Sequence, residues 1–140
     1  MNVSLIIPAY NEANHLPHLL SSIPSIVNEV IVVDDGSTDE TPSIVKANGV
    51  ILVQHLTNRG KGVAMVSGVR KATGDIIVFM DADLQHYPED IERIAIPVLE
   101  ESADLSIGVR TLGSRRMMPI QRRFTNFLGN LLVFLRIRKW

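Results

Sequence analysis

Two groups of acidic residues each follow directly on a short run of apolar, mostly β-branched residues. Residues 31–33 (Ile-Val-Val) lead into residues 34–37 (Asp-Asp-Gly-Ser), and residues 76–80 (Ile-Ile-Val-Phe-Met) lead into residues 81–83 (Asp-Ala-Asp). Continuous apolar runs of this length are typical of strands buried on both faces of a parallel sheet. The carboxylates would then lie at the carboxyl ends of two strands, where open α/β sheets bind their ligands. Acidic groups gathered there indicate a bound cation, and oxygen ligands favour Mg²⁺ or Mn²⁺.

The rest of the chain alternates apolar, strand-like runs with segments of helical periodicity. This alternation predicts a doubly wound α/β fold, with a mostly parallel sheet and flanking helices. Thr38 is expected to cap the second helix, and Pro97 is expected to kink the fourth helix or to end it near Ala95. The predicted strands are residues 3–7, 29–33, 50–54, 75–80 and 104–108, and the predicted helices are residues 11–22, 38–48, 60–73 and 88–101.

Length, cysteine content and charge limit the class of protein. The 140 residues are enough for one domain, and the absence of cysteine excludes a disulfide scaffold and thiolate metal sites. We see neither a signal peptide nor an apolar run of about 18 residues, so we expect a cytoplasmic protein, at most peripheral at the cytoplasmic membrane face. Residues 1–109 hold six Lys or Arg and all fifteen Asp and Glu, whereas residues 110–140 hold eight Lys or Arg and no acid. The basic segment indicates an anionic partner (phosphate, a membrane surface or nucleic acid), unless it docks on the acidic body.

Other doubly wound proteins place different residues at these turns. A Rossmann dinucleotide site needs Gly-x-Gly-x-x-Gly after the first strand, where this chain has Pro-Ala-Tyr-Asn-Glu at residues 8–12. A P-loop needs a spacing and a hydroxyl residue that Gly-Lys-Gly at residues 60–62 lacks. A phosphoacceptor receiver domain would carry its acidic pair after the first strand, whereas here the pair at residues 34–35 follows the second. The Asp-Asp-Gly-Ser sequence alone is equally compatible with an ordinary turn.

Four short motifs, in order, carry a more specific likeness. They are Pro-Ala-Tyr-Asn-Glu (8–12), Val-Asp-Asp-Gly-Ser-Thr-Asp (33–39), Asn-Arg-Gly-Lys-Gly (58–62) and Asp-Ala-Asp-Leu-Gln-His (81–86). Over residues 3–110 the chain resembles the inverting family 2 glycosyltransferases of the GT-A fold, and among them the dolichyl-phosphate and polyprenyl-phosphate sugar synthases. The resemblance implies a nucleotide-sugar-binding core in residues 1–110. It also implies a basic loop and a C-terminal helix on the acceptor or partner side in residues 111–140.

The resemblance also implies roles for individual residues. Asp35, with Asp34 beside it, would hydrogen-bond the base or ribose, and Lys61 would lie near the diphosphate at a helix start. Mg²⁺ or Mn²⁺ would bridge the sugar nucleotide's phosphates and neutralise the departing nucleoside diphosphate. The implied nucleoside-pocket residues are Pro8, Tyr10 and Glu12, and the implied metal ligands are Asp81, Asp83 and Gln85. The histidines at positions 15, 18 and 55 are expected to be surface or hydrogen-bonded side chains rather than ligands.

The basic segment suits a phosphate acceptor. No carboxylate follows Asp104 to serve as a general base, and a phosphate oxygen, already ionised at pH 7, needs none. It needs cations, and arginine binds phosphate through two parallel hydrogen bonds. The predicted catalytic residues are Asp83, Arg110 and Arg122, with Arg115, Arg116 and Arg123 nearby. Family members continue with another acidic segment and further helices. The chain is therefore expected to be shortened at its C-terminus, and a later catalytic acid would belong to the absent segment.

Residues 119–140 are predicted to form an amphipathic helix. Apolar residues recur at positions 120, 124, 127, 128, 131, 132 and 135, which gives one apolar stripe. Basic residues flank the stripe and Trp140 follows it. The helix is therefore expected to lie on an anionic membrane surface or to pair with a second copy in a homo-oligomer. The alternative is that it packs on the sheet of its own domain.

Together these features predict a metal-dependent inverting glycosyltransferase that moves a sugar from a UDP- or GDP-sugar to a polyprenyl phosphate. Mg²⁺ or Mn²⁺ is the expected cofactor, and no nucleic-acid partner is expected. One alternative is a non-catalytic module that binds nucleotide sugars. A second is an interaction domain that dimerises through its C-terminal helix.

Overall fold

The computed structural model describes residues 1–108 and 132–136. Strands and helices alternate along the first range, as the sequence predicts, and the second range adds one more strand. The elements are β1 (Val3–Ala9), α1 (Leu16–Ser21), β2 (Glu29–Asp34), α2 (Thr41–Ala47), β3 (Ile51–Gln54), α3 (Lys61–Lys71), β4 (Ile76–Phe79), α4 (Asp90–Leu99), β5 (Leu105–Gly108) and β6 (Leu132–Arg136).

The strands form one sheet in the order β3-β2-β1-β4-β6-β5. The first four strands in this order run parallel to one another, and β6 runs antiparallel to both β4 and β5. The predicted α/β fold with a mostly parallel sheet is therefore confirmed. In the register of the sheet Ala9 lies opposite Asp34, and Ile6 lies opposite Phe79. The loops that follow β1, β2 and β4 consequently leave the sheet at the same edge.

Helices cover the sheet on both faces, and the residues of β1 alternate between the two layers. Leu5 and Ile7 belong to the larger apolar cluster, which includes the buried residues of α1, α2 and α4. Ile6 belongs to the smaller cluster beneath α3. This helix packs closely, because a Cβ added at Gly68 would lie 2.3 Å from Cγ2 of Ile6. Because both faces of β1 are covered by helices, its sequence is a continuous apolar run and does not alternate between apolar and polar residues.

Strand β6 corrects the predicted C-terminal helix. Residues 132–136 lie in the sheet, with Val133 opposite both Phe79 and Ile107. The sequence Leu-Val-Phe-Leu fits the helical stripe, but a continuous apolar run with β-branched and aromatic residues fits a buried strand equally well. Pairing with strands far away in the sequence decides between the two. The helix prediction is therefore wrong for residues 132–136, and a single helix over 119–140 that dimerises or lies on a membrane is incompatible with β6.

The remainder of that predicted helix, residues 119–131 and 137–140, lies outside the described residues. Within the described ranges, no helix is both long enough and apolar enough to cross a membrane.

Several helix boundaries also differ from expectation. Helix α1 begins at Leu16 rather than at residue 11, because Asn11 has a left-handed φ of 55° and its N–H is bound by Ser37. Helix α4 does not end near Ala95 but continues through Pro97 to Leu99. Proline there removes one backbone hydrogen bond and crowds the carbonyl four residues earlier, but burial of Ile91, Ala95 and Val98 on one face of the helix favours its continuation. Helix α2 begins at Thr41 rather than after a Thr38 cap.

Candidate functional site

A cavity of about 220 Å³ opens at the carboxyl edge of the sheet, between the ends of β1, β2 and β4 and the start of α3. We call this cavity the edge cleft. All four sequence motifs contribute to its wall, and every predicted nucleotide or metal residue within the described ranges lines it except Asp34 and Gln85. The lining residues are Pro8, Ala9, Tyr10, Glu12, Asp35, Asn58, Gly60, Lys61, Ala64, Asp81, Ala82 and Asp83.

A larger cavity of about 540 Å³ lies at the opposite edge, where the strands begin, and Glu29 is its one ionisable lining residue. The carboxylate of Glu29 accepts hydrogen bonds from the Ser4 hydroxyl and from the backbone and hydroxyl of Thr73. Burial favours a higher pKa for Glu29, but these hydrogen bonds and the charge of Lys71 hold the pKa below its ordinary value. Glu29 thus ties β1, β2 and the turn after α3 together. We place the functional site in the edge cleft, where several ionisable groups converge.

The loop after β1 is fixed by side chains of the loop after β2. Asn11 adopts a left-handed φ of 55°, and its backbone N–H donates to the Ser37 hydroxyl at 2.9 Å. In return, the N–H of Thr38 donates to Oδ1 of Asn11 at 2.8 Å. The N–H of Glu12 donates to the Thr41 hydroxyl at 2.9 Å. Ser37 and Thr38 of the second motif, with Thr41 at the start of α2, therefore hold the first motif in place, a role that sequence reasoning missed.

The adjacent residues Asp34 and Asp35 occupy different surroundings. Asp34 is fully buried and does not line the edge cleft. Its Oδ1 accepts the N–H of Ser37 at 3.0 Å, as in an ordinary Asp turn, and its Oδ2 has no hydrogen-bond partner among the described residues. Gly36 next to it needs its φ of +77°, and an added Cβ would lie 2.5 Å from the carbonyl carbon of Thr57. The turn after β2 is thus pressed against the loop after β3.

Asp35 lines the edge cleft but is only 3% exposed, because its carboxylate is directed into the protein. Its Oδ1 lies 2.6 Å from Nδ1 of His55, and Oδ2 accepts the N–H of Gly60 at 2.7 Å. The N–H of Arg59 lies 3.0 Å and 3.1 Å from the two oxygens. Burial favours a higher pKa for Asp35, but the hydrogen bonds from His55 and the two amides outweigh it, so the pKa lies below its ordinary value. Asp35 therefore remains ionised and organises the third motif.

Lys61 and Asp81 connect the two sides of the edge cleft. Lys61 is the first residue of α3, and its ammonium lies 2.6 Å from Oδ1 and 2.8 Å from Oδ2 of Asp81. The Lys61 side chain is about half exposed (49%), whereas that of Asp81 is mostly covered (20%). A positive charge thus already lies on the carboxylate that the sequence predicts as a metal ligand.

The donor set at the end of β4 fits a divalent cation that is shared with a phosphate ligand. Asp81 and Asp83 both line the cleft, and Asp81 is paired with the Lys61 ammonium. Gln85 does not line the cleft, and its N–H donates to Oδ1 of Asp83 at 3.0 Å. In the part of the chain that the structure describes, no group of three or more His, Cys, Asp or Glu surrounds a potential metal position. Two carboxylates are nevertheless sufficient for Mg²⁺ when substrate phosphates and water complete the shell.

The outer rim of the cleft comes from the first motif. The ring of Tyr10 is about half exposed (46%), which leaves a flat aromatic surface at the mouth of the cleft. The carboxylate of Glu12 pairs with His15, which does not line the cleft: Oε2 of Glu12 lies 2.6 Å from Nδ1 of His15. Predicted acceptor residues Arg110 and Arg122, like Arg115, Arg116 and Arg123, lie outside the described residues.

Comparison with known proteins identifies the family. The sequence model of glycosyl transferase family 2 matches residues 4–137. This chain belongs to glycosyl transferase family 2. Its sheet and flanking helices are those of the GT-A fold, because solved GT-A enzymes superpose on it. Glucosyl-3-phosphoglycerate synthase from Mycobacterium tuberculosis, crystallised with Mn²⁺, UDP and glucosyl-3-phosphoglycerate, gives a TM-score of 0.66 at 31% identity over 74% of this chain and 42% of that chain. The same enzyme with phosphoglyceric acid gives 0.75 at 25% identity over 96% of this chain and 56% of that one.

Curated relatives of this family member include lipid-phosphate sugar transferases. The UDP-N-acetylglucosamine–dolichyl-phosphate N-acetylglucosaminyltransferase of Methanococcus voltae is 31% identical over 95% of this chain and 62% of that protein. The dolichol-phosphate mannosyltransferase of Pyrococcus furiosus is 37% identical over 79% of this chain and 33% of that protein. The family 2 chain thus spans less than two thirds of the length of these relatives.

Proposed function

We propose that this chain binds a UDP- or GDP-sugar in the edge cleft and transfers the sugar, with inversion, to a polyprenyl phosphate. The observation that carries the proposal is the convergence of Tyr10, Asp35, Lys61, Asp81 and Asp83 in one cleft at the carboxyl edge of the sheet. The names of the Methanococcus and Pyrococcus relatives support a dolichyl-type phosphate as the acceptor.

In this proposal the nucleoside of the donor binds at one end of the cleft and its diphosphate binds at the other. The nucleoside lies against Pro8, Tyr10 and Glu12, where the exposed ring of Tyr10 offers a stacking surface. Asp35 lines this wall and supports it through the backbone of Arg59 and Gly60, so a base or ribose donor would have to share its carboxylate with these amides. Asp34, which is fully buried, serves the turn rather than the ligand.

The diphosphate lies between Lys61 and the Asp81–Asp83 pair. Asp81 and Asp83 would hold Mg²⁺ or Mn²⁺, which when bound acts as a Lewis acid on the leaving nucleoside diphosphate. Lys61 would move its ammonium from Asp81 to the phosphates, where positive charge at a helix start favours an anion. Crystals of the related M. tuberculosis synthase that contain UDP with Mn²⁺ or Mg²⁺ support this arrangement.

Transfer then requires an acceptor oxygen on the far side of the sugar. A phosphate oxygen of the acceptor forms a bond to the anomeric carbon as the bond from that carbon to the donor's diphosphate breaks, and the electron pair leaves with the nucleoside diphosphate. No proton has to be removed, since the acceptor oxygen is ionised at pH 7. We propose that Arg110 and Arg122 hold this acceptor phosphate. A lipid acceptor would bring the chain to a membrane surface, and we propose the cytoplasmic face.

Calorimetric titration tests donor binding. With excess Mn²⁺ the chain should bind UDP or GDP, and UMP, which lacks the second phosphate, should bind more weakly. A ligand at 100 times its dissociation constant should add about 2.7 kcal/mol to the free energy of unfolding. A folded sample that binds neither UDP nor GDP with Mn²⁺ would exclude the proposed function.

An assay of sugar transfer to dolichyl phosphate separates an enzyme from a binding module. Radiolabelled UDP- and GDP-sugars are incubated with the chain, Mn²⁺ and dolichyl phosphate in detergent, and label that enters the lipid phase is counted. Binding together with transfer supports the enzyme. Binding without transfer would leave the chain as a nucleotide-sugar-binding module.

A further inference from the structure

We infer that His55 is a positioning residue for the donor site. It orients the carboxylate of Asp35, and Asp35 in turn fixes the conformation of the loop that leads to Lys61 in the edge cleft. This inference rests on the proposed function, because the loop in question forms the wall against which the nucleotide would lie. His55 does not itself line the cleft, so it would act only through Asp35.

His55 bridges two elements that are separate in the sequence. Its side chain is only 8% exposed. Nδ1 lies 2.6 Å from Oδ1 of Asp35, and Nε2 lies 2.9 Å from the hydroxyl of Ser67 on α3. An ionised carboxylate only accepts hydrogen bonds, so Nδ1 carries a proton and donates it. In the neutral ring Nε2 then accepts the hydroxyl proton of Ser67. The protein therefore selects one of the two tautomers of His55.

The carboxylate of Asp35, which His55 orients, holds the loop after β3 by hydrogen bonds. Asp35 accepts the N–H groups of Arg59 and Gly60, and Gly60 has a φ of +90° where the loop turns into α3. Lys61 follows immediately and reaches Asp81. A continuous series of contacts thus runs from Ser67 through His55 and Asp35 to the loop, and from the loop to the predicted metal carboxylates.

The strand does not need the imidazole. The backbone N–H of His55 donates to the carbonyl of Asp34 at 2.9 Å, and this bond holds the end of β3 against β2 whichever side chain is present. Helix α3 is fixed independently by Ala64 and Gly68, which are buried against the sheet. Replacing the imidazole should therefore alter the orientation of Asp35 more than it alters the sheet.

Four variants separate positioning from simple packing. H55N keeps a donor at the place of Nδ1, H55Q keeps one near Nε2 but not at Asp35, H55L keeps neither, and S67A removes only the second contact. H18N, at an exposed position on α1, is the matched control. Each protein is titrated with UDP and with GDP in the presence of Mn²⁺, and its unfolding in urea is measured in parallel.

Hydrogen bonds to charged groups are worth enough to weaken binding about 10- to 100-fold when lost. We expect H55L and H55Q to bind the preferred nucleotide at least about 10-fold more weakly, whereas H55N, S67A and H18N stay within about 3-fold of the unaltered chain. Equal nucleotide affinity in H55L and the unaltered chain would overturn the inference while leaving the proposed function intact. So would an H55N that binds as weakly as H55Q. An unaltered chain that binds neither nucleotide would remove the proposed function and the inference together.

A further test uses the unaltered chain, so its result does not depend on whether a variant folds. Nitrogen-15 NMR of the histidine rings should show His55 with its proton on Nδ1 at neutral pH, or on both nitrogens, and never on Nε2 alone. A neutral ring protonated only at Nε2 would place an acceptor against the Asp35 carboxylate and would overturn the inference.

Discussion

The ammonium of Lys61 lies 2.6 Å from Oδ1 of Asp81, across the cleft at the carboxyl edge of the sheet. The two residues come from the third and fourth sequence motifs, so this ion pair joins the start of α3 to the loop after β4. In the proposed reaction both groups change partner, since Asp81 turns to the cation and Lys61 to the diphosphate.

Replacing Lys61 by methionine should have opposite effects on the two ligands. Without nucleotide, K61M should bind Mn²⁺ up to about 5-fold more tightly, because a half-exposed ion pair is worth about 1 kcal/mol or less and no longer competes. With Mn²⁺ present, UDP or GDP should bind about 10-fold more weakly, because a charged hydrogen bond to phosphate is lost. Electron paramagnetic resonance of free Mn²⁺ and calorimetry measure the two affinities. K46M, at an exposed site on α2, should change neither.

Replacing Asp83 by asparagine should remove metal-dependent nucleotide binding while the fold remains intact. An asparagine oxygen can still accept the N–H of Gln85, and loss of one carboxylate relieves repulsion from Asp81. The free energy of unfolding without metal should therefore stay within about 0.5 kcal/mol of the unaltered chain. Urea unfolding and Mn²⁺-dependent calorimetry test the two halves of this expectation. A large loss of stability with unchanged metal binding would make Asp83 a turn residue instead of a ligand.

Replacing Gly36 by alanine should destabilise the fold by about 2–4 kcal/mol. Part of the cost comes from the left-handed φ of +77°, and part from a methyl group placed 2.5 Å from the backbone of Thr57. Gly49 provides the control, because its φ of +69° is similar but an added Cβ would meet open space. G49A should therefore cost only about 1 kcal/mol. Equal urea midpoints for the two variants would show that the loops after β2 and β3 do not press together.

Acid should weaken the fold partly through Asp35. Its pKa in the folded chain is below the ordinary value, so its contribution to stability is fully present above the unfolded pKa of about 3.9. That contribution is lost as the pH falls through the lower folded pKa. The urea midpoint of the unaltered chain should therefore fall steeply below about pH 4. In D35N the decline should be shallower, with Glu29 and Asp39 supplying what remains. Parallel pH curves for the two proteins would contradict this assignment.

Local sequence determined what was predicted correctly. The runs before Asp34 and Asp81 are apolar on both faces, so they can be predicted as buried strands without information about residues far away in the sequence. The acids that follow them then lie at the carboxyl edge of the sheet. The strand at 132–136 could not be found in this way, because the same residues satisfy a helical stripe and only pairing with β4 and β5 decides between the two.

The cleft shows the same division between local and distant information. Asp81 and Lys61 were recognisable from their motifs, but the different surroundings of Asp34 and Asp35 depend on the turn that begins where β2 ends at Asp34. His55 lies 20 residues after Asp35 and 12 before Ser67, so no spacing in the sequence marks the three as one hydrogen-bonded group. An imidazole at the end of a strand gives no signal until its neighbours are known.

The position of β6 has a consequence for synthesis on the ribosome. Among the described strands β5 pairs with β6 alone, so these two strands cannot complete the sheet while residues 132–136 are still in the exit tunnel. Until then β4 presents an open row of amide and carbonyl groups, the kind of edge on which unfinished chains stick to one another. A chain ending at residue 108 should therefore scatter more light at equal concentration than the full chain. Strand β6 closes the edge that the parallel strands leave exposed.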